Sequence, residues 1–437
     1  MRPRIVIVGC GFGGLFAARA LGKAAAELLL IDRNNYHLFQ PLLYQVASAA
    51  LGPADIAQPI RRILRHQRNA LVMLAEVSRV DVAQQRVYAG DHPIGYDYLI
   101  LAPGAVDNYF GHDQWHRLAP GMKVVEDATL IRSRMLRSFE IAEFETEPQQ
   151  QAAHLAFIII GGGPTGVELA GAIKELAVDV IPRDFRVADT TKARVILIEA
   201  GPRLLPALHP DSSARALRQL HDLGVEIRLG QPVTAVFEDG VEAGEERLYS
   251  YNVIWAAGVR ASPVVGTLGA DLGPGSRVKV MPDCSIPQHS NVFVIGDAAY
   301  LVDSRSGLQV PGVSQGALQM GRYVAGVILE EIAAQPGGRR PGGARPLREA
   351  GFHYVDKGSM ATIGKSRAVV ELGRFHFGGL LAWFAWLGLH VTVLIGFRNR
   401  LAVLLSWIYS YLFFRRGSRL ITGRSPQESP EPRSPRS

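Results

Sequence analysis

Three glycines spaced GxGxxG occur twice in this chain, as Gly9, Gly11 and Gly14 and again as Gly161, Gly163 and Gly166. No other residues here have a type and spacing that imply chemistry so directly. The first glycine of such a set makes a tight turn, the second lets backbone approach a pyrophosphate, and the third lets a helix pack on a strand. The helix N-terminus then offers free N–H groups and its positive dipole to phosphate. A carboxylate closing the following strand accepts ribose hydroxyls, and Asp32 and Glu199 stand at those places. The chain has only two cysteines, Cys10 and Cys284, too few for a disulfide framework or a Cys-rich metal or iron–sulfur site. Redox chemistry would therefore need a borrowed cofactor, and no metal is expected.

The elements needed to position these residues are legible around them. RIVIVGCGFGG at 4–14 reads as an apolar strand, the glycine turn and a helix running through Leu21, and ELLLID then supplies a second strand ending in Asp32. LAFIIIGGGPTGVELAG from Leu155 repeats the unit, and RVILIEAG ends its next strand at Glu199. The second acid arrives later than usual, which a loop inserted at 182–192 explains. Each unit leads through short strands to a similar close, YDYLILAPG at Gly104 and YNVIWAAGV at Gly258. The copies are offset by 152 residues at the first glycine (161 less 9) and by 154 at the closing one (258 less 104). An internal duplication with two dinucleotide sites follows, and two dinucleotides in one chain imply electron transfer between them. A further strand, SNVFVIGDAA at 290–299, ends in Gly296 and Asp297. By itself that pair also reads as an ordinary strand-end turn.

From about Arg4 to Leu420 the chain resembles the type II NADH:quinone oxidoreductases, single-subunit flavoenzymes that do not pump protons. The glycine fingerprints are shared with many two-dinucleotide reductases. More specific are NNYHLFQPLLYQVA (34–47), IEAGPRLLP (198–206), VPGVSQGALQMGRYVA (310–325), KGSMATIGKSRAV (357–369) and GFRNR (396–400). The sequence departs from the pattern at Pro103, in LAPG where LATG is common. The resemblance implies an α/β chain with two Rossmann-like domains, an FAD domain (1–115 and 285–334) interrupted by an NADH domain (116–284). A linker at 335–346 leads to a membrane-associating module (347–420), and a basic tail (421–437) rich in serine and proline is expected to be disordered. It places Gly9, Gly11, Phe12, Gly13, Gly14 and Asp32 at FAD, with Gln45, Ala102, Gly104, Gly296 and Asp297. It places Gly161, Gly163, Pro164, Thr165, Gly166 and Glu168 at NADH, with Glu199, Ala257 and Gly258. A carboxylate at Glu199 repels a 2′-phosphate, so NADH is expected over NADPH, with Arg203 the nearby cation that could soften the choice.

The same resemblance implies catalytic roles for Glu168, Gln315, Gln319 and Lys365. Gln315 and Gln319, four apart in a helical stretch, share one face and would meet the flavin and the quinone head, though such a pair also suits a solvated face. Glu168 would sit between nicotinamide and flavin and handle protons, or simply complement the helix dipole. Lys365 reads equally as a cation near the quinone and as a surface lysine.

The run FGGLLAWFAWLGLHVTVLIGF (377–397) is about as long as the ~20 residues needed to span a bilayer. Arg398 and Arg400 follow, and the shorter run LAVLLSWIYSYLFF comes next. If the first run crossed and the second did not, the basic end (six arginines against two glutamates over 415–437) would lie on the wrong side. Trp383, Trp386, Trp407, Tyr409 and Tyr411 suit a headgroup zone. Monotopic attachment by amphipathic helices is expected, a two-helix hairpin being the alternative. The net charge of +7 does not itself choose a partner, but a polybasic end directly after the apolar runs suits an anionic lipid surface better than a nucleic-acid groove. No signal-peptide pattern precedes the first strand, so the cytoplasmic face of the inner (plasma) membrane is expected, and the family pattern suggests a homodimer. Two other functions share some of these features: a sulfide:quinone oxidoreductase, which needs a redox cysteine pair, and a non-enzymatic NADH-sensing flavoprotein.

Overall fold

The computed structural model describes residues 2–334, 347–413 and 418–422. The chain divides into two compact units. The first comprises the described residues of Met1–Leu38, Ala57–Asn108 and Val259–Lys357; the second comprises Phe39–Ile56, Tyr109–Gly258 and the described residues from Gly358 onward.

The core of the first unit is a six-stranded sheet in the order Ser285–Ile286, His289–Val294, Tyr98–Leu101, Arg4–Val8, Glu27–Asp32 and Ala70–Leu74. All but the first of these strands run parallel, with Ile5 opposite both Leu28 and Tyr98. Ile5, Val6, Ile7 and Val8 are all buried, as a parallel strand requires when both sheet faces are covered. The helices Phe12–Ala20 and Ser314–Ala334 cross so closely that a Cβ on Gly321 would lie 2.3 Å from Gly13 O. His289–Val294 returns to pair with Tyr98–Leu101, which brings Gly296 and Asp297 to the carboxyl edge of this first sheet.

The second unit repeats the plan with parallel strands in the order Glu226–Leu229, Arg194–Glu199, Ala156–Ile160 and Asn252–Trp255. Helix Pro164–Glu175 follows its glycine turn. The helix runs on through a π turn, Leu176–Val180, into the inserted loop. The three-stranded meander Ser359–Gly364, Arg367–Leu372 and Phe375–Gly378 packs on the same helix. The approach is close: a Cβ on Gly171 would stand 1.7 Å from Ile363 O, so only glycine fits.

The whole is the α/β fold with two mononucleotide-binding folds and a C-terminal addition. The chain passes between units at 108/109 and 258/259, rather than at 115/116 and 284/285 as the motifs suggest. Pairing explains the difference: Val259–Ala261 runs antiparallel to Ala105–Asp107, and Val278–Lys279 pairs with Ala299–Tyr300, so 259–284 belongs with the first unit. The segment beginning at Gly358 packs within the second unit. The linker at 335–346 lies outside the described residues, as do residues 423–437 of the tail. The two tail residues that are described are held, Thr422 O accepting from Ser133 Oγ at 2.8 Å.

Candidate functional sites

The two glycine loops share one atomic construction. Gly9 and Gly161 both have positive φ, +90° and +111°, and a Cβ on Gly14 or Gly166 would lie 1.9 Å from the carbonyl of the first glycine in its set. Asp32 accepts from Cys10 N at 2.6 Å and Asn34 N at 2.7 Å. Glu199 does the same with Gly162 N and Gly201 N, both at 2.6 Å. Each acid is thus fixed beside its own loop before any ligand arrives. By contrast, a Cβ on Gly11 or Gly163 would meet nothing within 4 Å, which is the open space a pyrophosphate needs.

Around the first loop, Phe12 opens the helix and Ala102 N donates to Val8 O, while Gly104 (φ +72°) and Gly296 (φ +70°) form strand-end turns. Asp297 follows in the turn Gly296–Ala298. One polar residue here carried no warning in the sequence. His37 is buried, its ring edge-on to Phe12 at 5.1 Å, and Nδ1 donates to Cys10 O at 2.9 Å. Burial holds its pKa below the usual range, so Nε2 is a neutral acceptor, and it has no protein partner among the described residues. An orphaned buried acceptor beside an open glycine loop fits a dinucleotide carrying hydroxyls. Both cysteines are buried, and burial pushes both thiols upward, away from the reactive thiolate. They do not supply the redox pair that sulfide chemistry needs.

Pro164 and Thr165 open the helix of the second loop, and Ala257 and Gly258 (φ +123°) follow strand Asn252–Trp255. Arg203 is engaged with Leu208 O and Pro206 O, at 2.8 and 2.6 Å.

Glu168 and Lys365 both line a small open cleft within the second unit, which Gln45, Tyr44, Glu175, Asp179 and Trp407 also line. Glu168 is deeply embedded yet keeps part of its surface, because the cleft reaches it. Burial raises its carboxyl to about 8; Thr362 N, 3.4 Å away, and the indole of Trp386 pull weakly the other way. The Trp386 Nε1–H closes no hydrogen bond of normal geometry, so its effect on the acid is electrostatic. Lys365 lies in the tight turn of the meander and its backbone N–H donates to Glu175 Oε1. Gln45 belongs to this second unit, donating to Tyr44 OH at 2.8 Å and accepting from Trp407 Nε1 at 2.7 Å. Gln315 and Gln319 lie in the first unit, in the opening turns of helix Ser314–Ala334. Gln319 clasps the backbone of Val355 from both sides, donating to its carbonyl at 2.9 Å and accepting from its N–H at 3.0 Å.

The apolar run at 377–397 is not one element. It begins in strand Phe375–Gly378, turns at Gly379 (φ +78°) into helix Leu380–Val393 and turns again at Gly396 (φ +92°) into helix Phe397–Phe413. The first helix is about 21 Å long and the second about 26 Å at 1.5 Å per residue. Among the described residues no helix is long and apolar enough to cross a membrane. Leu380, Leu381, Phe384, Leu389 and Val393 are exposed on one, and Leu401, Leu404, Leu405 and Ile408 on the other. The tryptophans do not face outward with them. Trp383, Trp386 and Trp407 are buried, because Trp386 packs on Trp407 and on His390 and these rings hold the helices to the protein.

The family model described as pyridine nucleotide-disulphide oxidoreductase matches residues 3–321, and the NDH2 C-terminal domain matches residues 357–416. The type II NADH:quinone oxidoreductase Ndh of Mycobacterium tuberculosis is 44% identical over 438 residues, covering 96% of this chain and 90% of that protein. NdhA of the same organism is 42% identical over 439 residues, covering 97% and 90%. The solved structure of NDH2 from Plasmodium falciparum in complex with NADH matches with a TM-score of 0.86 at 18% identity, covering 97% of this chain and all of that one, a likeness of fold.

Proposed function

This chain belongs to the type II NADH:quinone oxidoreductases, and from that premise we propose that it works at a membrane surface with FAD in the first cradle and NADH in the second. The reaction oxidises NADH and reduces a quinone by two electrons, without proton pumping. Bound flavin supplies the capacity to accept hydride and release electrons in turn. The observation that carries the assignment is the matched pair of loops, each with its acid already hydrogen-bonded into place.

The chain's own residues then have distinct tasks. The loop at Gly9–Gly14 and the N–H groups opening helix Phe12–Ala20 hold the flavin dinucleotide's pyrophosphate, with Asp32 on its ribose and Gly296–Asp297 on its ribityl chain. The loop at Gly161–Gly166, with Pro164 and Thr165, holds that of NADH. Glu199 accepts the adenosine ribose hydroxyls and disfavours a phosphate in their place, while Arg203 is occupied by backbone carbonyls. Glu168 holds a proton on its carboxyl at neutral pH, available to the quinone as it is reduced. Gln315 and Gln319 stand beside the flavin of the first unit, and Lys365, lining the same cleft as Glu168, is a polar group offered to the quinone. The exposed leucines and Phe384 of the two C-terminal helices rest in the lipid interface, where the quinone is dissolved. The chain sits monotopically on the cytoplasmic face, where NADH is available, and works as a pair of copies.

Denatured protein should release FAD in about one-to-one ratio, and turnover with a water-soluble quinone should favour NADH over NADPH by about tenfold or more, as expected for one charge-assisted contact. Release of no FAD, or equal use of both nucleotides, would refute the cofactor assignment.

A further inference from the structure

The turn Tyr109–His112 is built against backbone preference. His112 N donates to Tyr109 O at 3.0 Å, and both central residues have positive φ, Phe110 at +51° and Gly111 at +95°. Turns of this kind favour glycine, asparagine or aspartate, and a bulky aromatic there is strained. What enforces it is Tyr109, buried in the core, stacked on Trp255 at 4.9 Å and donating through its hydroxyl to Ala119 O at 2.9 Å. With Tyr109 turned inward, Phe110 is turned out, and it is 64% exposed. Its ring does not swing free: Phe110 Cζ lies 3.2 Å from where a Cβ of Gly258 would stand, and the ring centroid is 6.4 Å from that of Trp255. Strain of this kind persists where the surroundings over-determine it, and it concentrates at functional sites.

The position of that ring follows from the strand order of the second sheet. Arg194–Glu199 lies on one side of strand Ala156–Ile160, and Asn252–Trp255 lies on the other. The glycine loop that follows Ala156–Ile160 touches the second side, since a Cβ on Gly161 would lie 2.6 Å from Ala256 and Ala257. A dinucleotide with its adenosine ribose on Glu199 and its pyrophosphate on the loop therefore extends its nicotinamide half over Ala257, Gly258 and Phe110.

We propose that Phe110 is a substrate-positioning residue: its exposed ring, held on Gly258 beside the second glycine loop, covers the nicotinamide-ribose half of NADH. The proposal rests on the NADH reading given above. A flat, apolar ring there restricts where the nicotinamide sits and shields it from water, without taking part in bond making.

The test compares the flavin-loaded wild type with F110A, F110G and F110W. NADH affinity is read from the NADH dependence of anaerobic flavin bleaching, and ADP-ribose, which lacks the nicotinamide, is used as a competitor. F110G removes the positive-φ strain, so it should unfold at no lower temperature than F110A. Both variants should nevertheless bind NADH about three- to tenfold more weakly, and F110W should stay within about twofold of wild type, as expected for one aromatic contact. The ADP-ribose inhibition constant should be unchanged throughout. Unchanged NADH affinity in F110G, or a parallel weakening of ADP-ribose, would overturn the assignment. Failure of the wild type itself to bleach with NADH would instead refute the flavoenzyme reading.

Discussion

Glu168 shows how one residue's surroundings set its chemistry. A glutamate near the start of a helix ordinarily serves the dipole as an anion, but Glu168 lies beyond the first turn of Pro164–Glu175. Here burial raises its pKa from 4.5 to about 8, so at neutral pH the carboxyl keeps its proton. The linkage has a definite sign: an acid whose folded pKa is raised adds stability that is complete below about 4.5 and is lost as pH rises through about 8. E168Q, which stays neutral, should therefore gain thermal stability over wild type as pH rises across that window, as calorimetry would show. Its quinone turnover should fall by roughly 10²-fold and lose the alkaline limb near 8, while flavin bleaching by NADH persists. Stability that stays parallel to wild type at every pH would contradict the protonated state. At Glu199, substitution by glutamine should lower kcat/KM for NADH about tenfold and narrow the preference over NADPH, because a charge-assisted contact is lost. These acids differ in how readable they were. Glu199 announced itself by its place at the end of a strand, but the raised pKa of Glu168 comes from burial by the folded chain, with Thr362 and Trp386 pulling it the other way, and His37 and Phe110 owe their settings to packing that no spacing encodes.

At the scale of elements, the strands and glycine turns were legible because their signals are local: an apolar run, a glycine set and an acid lie within one unit of chain. The apolar character of the C-terminal run was legible, and its breaks at Gly378–Gly379 and Gly396 were visible as glycines, yet that it begins as a strand follows from pairing with Arg367–Leu372. Equally hidden was the placement of Phe39–Ile56 in the second unit, where Gln45 receives the Trp407 indole and Asn399 donates to Ala54 and Asp55 carbonyls. The opposite helix faces stay exposed. The double substitution L404D/L405D should leave the melting temperature nearly unchanged, since both side chains are already exposed, at 41% and 55%. It should reduce binding to anionic liposomes by about 100-fold or more, because two leucines together contribute at least about 3 kcal/mol on burial. Unchanged co-sedimentation with liposomes would show that these helices do not carry the attachment.

Across the whole molecule, the governing fact is a duplication. One strand–turn–helix device is made twice with the same glycine clashes and the same acid-to-amide bonds, and a third segment carries exposed apolar side chains. That combination suits an enzyme that moves two electrons from NADH to a quinone. The duplication was readable from the offset of its motifs; the boundaries between units were not, since they depend on which short strands pair across long stretches of chain. The most direct test is an anaerobic titration of the purified, flavin-loaded chain followed by its visible absorbance. One equivalent of NADH should bleach the flavin bands and one equivalent of a soluble quinone should restore them, whereas a spectrum that NADH leaves unchanged, or that quinone cannot restore, would contradict the account.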